Sequence, residues 1–112
     1  MEETLTILWT NADPITAKLM VFMYAENALA RGWWKKVKII VWGATAKLIT
    51  ENKEVREKLL DIKLKGVKVE ACIACANELG VSEELMAMGF LVKGMGAPLT
   101  EVIKSGGKLI TV

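Results

Sequence analysis

Two runs of the chain are almost continuously apolar or β-favouring, Thr4 to Trp9 and Val37 to Trp42. Short runs of this kind, closed by polar residues or glycine, predict strands buried on both faces. A third run, Val67 to Cys72, alternates through Lys68 and Glu70, which predicts a strand with one wetter face. Phe90 to Lys93 and Lys108 to Val112 complete a set of five predicted strands.

Between the strands the period changes to that of helices. Asp13-Pro14 reads as an N-cap followed by proline at the first helical position, opening a helix over Ile15 to Arg31 that Gly32 ends. A second long helix is predicted over Asn52 to Lys65, with Val55, Leu59 and Ile62 on its inner face and Gly66 as its stop. Cys72 closes the third strand, and a helix is expected over Ile73 to Leu79. Ser82-Glu83-Glu84 reads as the cap of a short helix ending near Gly89, and Pro98 opens another that closes at Gly106-Gly107. Strand–helix alternation with connections this short predicts a parallel sheet with helices on both faces, a three-layer α/β/α unit spanning residues 1–112 as one domain.

The first helix contains an unbroken apolar run, Leu19 to Ala25, followed by Ala28 and Leu29. Seven consecutive residues cover nearly two turns, so apolar side chains extend around more than one face. Two readings follow: a fully covered core helix, or a helix packed on the sheet on one side and on a neighbouring subunit on the other.

Composition narrows the function classes. The chain is 53% hydrophobic over 112 residues, enough for a packed core, and its formal charge of +2 is too balanced to point to nucleic acid or an anionic membrane. No apolar stretch approaches the roughly 18–20 residues that span a bilayer. The opening Met1-Glu2-Glu3 has no basic n-region, so the expectation is a cytoplasmic chain without a secretory leader, with its two cysteines reduced unless they react. The absence of histidine excludes His-based acid–base catalysis and His metal ligation.

In an open parallel sheet, sites form beyond the carboxyl ends of the strands. Four segments fall there: Trp9 to Asp13, Trp42 to Thr45, Cys72 to Cys75, and Gly94 to Gly96. Only the third carries a group suited to covalent chemistry. A thiol where a strand ends and a helix begins meets free backbone N–H groups that favour the nucleophilic thiolate. Cys75, one turn on, is placed to attack a species formed on Cys72, so the pair suits a disulfide or the resolution of a persulfide. The alternative is two small apolar residues in a tight junction. Zinc is a third reading, but two cysteines supply only half a site. The pocket candidates around the thiols are Trp9, Asn11, Asp13, Trp42, Gly43 and Met95, with core packing the plainer reading for both tryptophans and capping for Asp13. Gly43 to Lys47 lacks the spacing of a phosphate loop.

The run Glu70-Ala-Cys72-Ile-Ala-Cys75-Ala-Asn-Glu-Leu-Gly80-Val81 resembles the strand–cysteine–helix segment of the DsrE/DsrF-like family. The tail from Leu85 through Gly94-Met-Gly96-Ala-Pro98 to Val112 is similar to that family's last two βα units. The resemblance implies a parallel five-stranded sheet between helices, assembled as a homotrimer or homohexamer. It implies a sulfur carrier or transferase with a persulfide on Cys72 and no bound cofactor or metal, exchanging sulfur with donor and acceptor proteins. Cys75 matches a cysteine found in a CxxC-bearing subset, which adds a dithiol cycle. The competing expectation is a non-catalytic oligomeric protein that binds a small ligand or senses redox state.

Overall fold

The computed structural model describes residues 3–112. Met1 and Glu2, which open the segment read for a leader, lie outside the described residues. Five strands, β1 (Thr4–Trp9), β2 (Lys36–Val41), β3 (Lys68–Cys72), β4 (Leu91–Lys93) and β5 (Lys108–Thr111), form one sheet in the order β4-β3-β2-β1-β5. Every pairing is parallel. The predicted strands are present, with ends differing by at most one residue.

The first helical stretch runs as α1 (Pro14–Thr16), a π segment (Ala17–Phe22) and α2 (Met23–Ala30). Asp13 caps it as expected: its Oδ1 accepts from the backbone N–H groups of Ile15 at 2.8 Å and Thr16 at 3.0 Å. The π turn was not foreseen. It divides the apolar run, sending Ala17, Val21, Phe22 and Ala25 into the core while Leu19 stays 61% and Met23 46% exposed. The fully covered reading of this helix is therefore corrected: one side is bare in the single chain.

The remaining helices are α3 (Thr45–Glu51), α4 (Lys53–Leu64), α5 (Ile73–Glu78), α6 (Ser82–Ala87) and α7 (Gly96–Lys104). Val55, Leu59 and Ile62 of α4 are fully buried, as their spacing required. Its end is a glycine turn: Gly66 takes a φ of 116°, open to glycine and strained for other residues, while Val67 donates to the Ile62 carbonyl and Gly66 to that of Lys63. Helix α3 carries no start signal in the sequence, because Ala44 at its N-cap offers no side-chain bond. Ser82 does not cap α6 either. The same glycine turn at Gly80 leads straight into it, Val81 takes the cap position, and the Ser82 hydroxyl donates to Asn77 Oδ1.

The main core joins Leu5, Ile7, Trp9, Val37, Ile39, Val41, Val69 and Ala71 of the sheet to side chains from the π segment and helices α2 to α6. The other face carries a smaller cluster, Ile40, Cys72 and Met95, with Leu99 of α7 packed on it. This division follows from handedness. The chain steps from β1 to β4 in one direction, so right-handed crossovers place their helices on one face; the return from β4 to β5 reverses direction and must carry α7 across the opposite face. The helices do cover both faces, but very unequally.

Candidate functional site

Reversal of the strand order fixes where a crevice opens. The chain leaves β3 toward the helix-rich face and leaves β4 toward α7, so the connections that follow these two neighbours diverge. Cys72 is the last residue of β3, in register with Lys93, the last of β4. Its backbone is still extended, with φ −71° and ψ 117°, and Ile73 begins α5.

Cys72 is only 5% exposed, closed in by Ile40 and Met95 with Leu8, Trp42 and Leu99 at the margin. Cys75 is half-buried, and the two cysteines approach to 3.5 Å. Both are free thiols. A disulfide needs a sulfur–sulfur distance of about 2.05 Å, so closure requires a small inward rotation. Burial pushes the Cys75 thiol above its ordinary range, a backbone hydrogen bond from Gly43 offsets part of this, and the neighbouring Cys72 sulfur adds to the rise. Cys75 also faces a cavity of about 420 Å³ lined by Gly43, Ala44, Ala74, Glu78 and Leu79. Cys72 does not line it.

The sequence-derived pocket divides in two. Gly43, Trp42 and Met95 meet the cysteines: Gly43 bonds Cys75, while Trp42 and Met95 pack in the cluster around Cys72. Gly43 reaches its place with a φ of 72°. Trp9, Asn11 and Asp13 do not join them. The Trp9 ring lies fully inside the main core, edge-on to Phe22 at 5.1 Å, with its Nε1 donating to the Asn11 carbonyl. Asn11 Oδ1 accepts from the Asp13 backbone, and Asp13 caps α1. These three side chains are engaged in holding the β1–α1 loop.

Several neighbours of the site carried no motif. Ala44, Ala74, Glu78 and Leu79 complete the cavity. The buried Thr45 hydroxyl lies 3.0 Å from the Trp9 carbonyl and 3.1 Å from that of Trp42, tying the ends of β1 and β2 beneath the Gly43 loop. Most unexpected is Glu70, two residues before Cys72 on the same side of β3. It is 1% exposed, so the wetter face predicted for this strand is confined to Lys68. Lys38, Lys68 and Lys93 cover it, with ammonium nitrogens 3.4, 3.4 and 3.6 Å from the carboxylate. Burial pushes its carboxyl upward, and the combined attraction of Lys38, Lys93 and Lys68 outweighs this and holds it below the usual range. The visible signal was an acid set among lysines at same-side positions of adjacent strands.

Among the described residues no group of three or more Cys, Asp or Glu side chains could hold a metal ion. No described helix is long and apolar enough to cross a membrane.

The sequence profile of the DsrE/DsrF-like family matches residues 5–112. The chain belongs to the DsrE/DsrF-like family. The fold of this DsrE/DsrF-like chain is also that of a solved conserved protein of unknown function from Bacteroides thetaiotaomicron. The two share 40% sequence identity with a TM-score of 0.95, over 98% of this chain and 95% of that one. No curated protein matches the chain significantly. Membership in this family suggests a role of the sulfur-relay type.

Proposed function

We propose that the protein is a thiol-based sulfur carrier, holding a persulfide on Cys72 with Cys75 as its resolving or redox partner, as in a CxxC-bearing subset of the family. The observation that carries the reading is the placement of two free thiols 3.5 Å apart at the crevice between β3 and β4. In loading, the Cys72 thiolate attacks the outer sulfur of a donor persulfide. One sulfur–sulfur bond forms, the donor's breaks, and the donor leaves as a thiolate. In release, an acceptor thiolate takes the outer sulfur and restores Cys72. Alternatively, Cys75 attacks the inner sulfur, hydrosulfide leaves, and the resulting disulfide is reopened by a dithiol reductant. The elevated proton affinity of Cys75 suits the second, slower role, since a neutral thiol waits without competing for the donor. The burial of Cys72 suits protection of a persulfide from water and oxidant, with access gained by movement of the Met95 side of the crevice.

The test is intact-mass measurement after incubation with a low-molecular-weight persulfide. The expected result is a gain of one sulfur, abolished by Cys72→Ser and retained with slower release by Cys75→Ser. Loading that survives Cys72→Ser would overturn the assignment. A second reading, a small-ligand-binding or redox-sensing protein, draws on the apolar cavity beside Cys75 and would be favoured by Cys72 and Cys75 that oxidise to a disulfide but never load. Homo-oligomerisation, as trimers or hexamers in the cytoplasm, belongs to the same proposal. Its support is the exposed apolar band of Ile15, Leu19, Met20, Met23 and Trp33.

A further inference from the structure

The face of the sheet that α7 leaves uncovered concentrates positive charge. Lys36 and Lys38 lie two residues apart on one side of β2, and Lys68 is in register with Lys38 on β3. Side chains on alternate strand positions sit about 6.6 Å apart and those on adjacent strands about 4.8 Å. Three lysine side chains thus leave the sheet from the corners of a small triangle. A groove of about 420 Å³ opens there, at the amino end of the strands, lined by Lys35, Lys36, Lys38 and Lys68 with Thr4 and Gly66 among its walls.

Among the described residues, Glu70 is the sole carboxylate within ion-pair distance of these four lysines. It also serves Lys93. Its contacts are long, and its Oε1 accepts no hydrogen bond. Among the described residues, four groove lysines face one carboxylate within ion-pair distance, a local excess of positive charge. Such crowding destabilises the folded state through self-repulsion unless something anionic joins it. Lys38 is held by the buried carboxylate, so part of the site is ordered before a ligand arrives.

We propose that this groove binds a small multivalent oxyanion of the phosphate or sulfate type, with Lys36, Lys38 and Lys68 as its principal contacts and Glu70 as the residue that positions two of them. Charge-assisted hydrogen bonds from converging ammonium groups are the strong interactions available to such an anion. The site lies at the opposite end of β3 from the thiols and is independent of the sulfur chemistry.

Inorganic pyrophosphate, titrated at low ionic strength and followed by amide chemical shifts, tests this. Saturable shifts are expected at Thr4, Lys36, Val37 and Lys68, unchanged in Cys72→Ser. Lys36→Gln leaves every partner of Glu70 in place, so it should fold, and it should weaken binding about five- to tenfold. Lys38→Gln should weaken it at least as much, while Lys104→Gln on α7 should not. The proposal is overturned by unsaturable shifts, by equal losses in Lys36→Gln and Lys104→Gln, or by shifts confined to the cysteine end. Binding of a polyglutamate peptide without binding of pyrophosphate would also overturn it, assigning the groove to an acidic partner protein.

Discussion

Replacing Glu70 by glutamine removes one charge and almost no volume, so its effect isolates the electrostatics of the buried cluster. At 3.4–3.6 Å and an effective dielectric of about 20, each lysine contact carries on the order of 5 kcal/mol before desolvation. Taking the carboxylate out of water opposes this by several kcal/mol. Lys68 and Lys93 are also about half exposed, so much of their attraction is screened. The net is about 1–3 kcal/mol in favour of the charged form. Glu70→Gln should therefore destabilise the protein by that amount at pH 7, lowering the melting temperature by roughly 4–15 °C. The folded-state pKa of Glu70 lies below that of the unfolded chain, so its contribution is complete above the unfolded value, about 4.5, and disappears as pH falls through the folded value. Thermal unfolding followed by circular dichroism at pH 7 and below pH 4 gives the comparison. The two proteins should differ at pH 7 and converge in acid. A glutamine variant as stable as the parent at pH 7, or a difference that acid leaves unchanged, would refute the reasoning.

Three further outcomes follow from other parts of the molecule. In the Cys72→Ser variant, alkylation of Cys75 should be slower than that of a free thiol at pH 7.5, with its rate still rising above the ordinary cysteine range of about 8.5; a plateau below that range would contradict the effect of burial. Leu59→Ala, at a fully buried position between α4 and the sheet, should cost about 2–5 kcal/mol in chemical denaturation with the fold retained. Leu19→Glu should lower the mass seen by light scattering if the exposed band on the first helix joins subunits, and a parent that is itself monomeric at micromolar concentration would remove the proposed assembly.

The parts of this structure legible in the sequence are those set by local rules. Asp13-Pro14 marked a helix start because a capping carboxylate and a missing N–H act within one turn. Gly66 marked a stop because only a positive φ completes that turn. The Cys72 junction was legible from the end of an alternating run, and the crevice rule then located it at a carboxyl end of the sheet. What escaped depends on partners distant in sequence. Glu70 reads as a wet position until lysines from two neighbouring strands are brought over it. Two of the six residues lining the cavity beside Cys75, Gly43 and Ala44, come from another loop. Trp9 lies at a carboxyl end yet turns inward, because its place in the strand points it toward Phe22 rather than across the crevice. The π segment has no local signature in the sequence; it divides an apolar run between two environments.

The position of β1 also shapes how the molecule must be made. This strand is the first to emerge during synthesis and ends beside β5, the last. The Val112 carbonyl accepts hydrogen bonds from the backbone of Thr10 and Asn11 and from the Thr10 hydroxyl, 102 residues earlier in the chain. Until residues 108–112 arrive, one side of β1 is a bare apolar ladder and the loop leading into the first helix lacks its bonds to Val112. Strands β1 to β4 can assemble in order as they are translated, but the fold locks only at the final step. Non-local closure of this kind slows folding and leaves an open edge exposed until β5 is translated. A nascent chain stalled before β5 would therefore present the edge of β1 to any neighbouring strand, its own kind included.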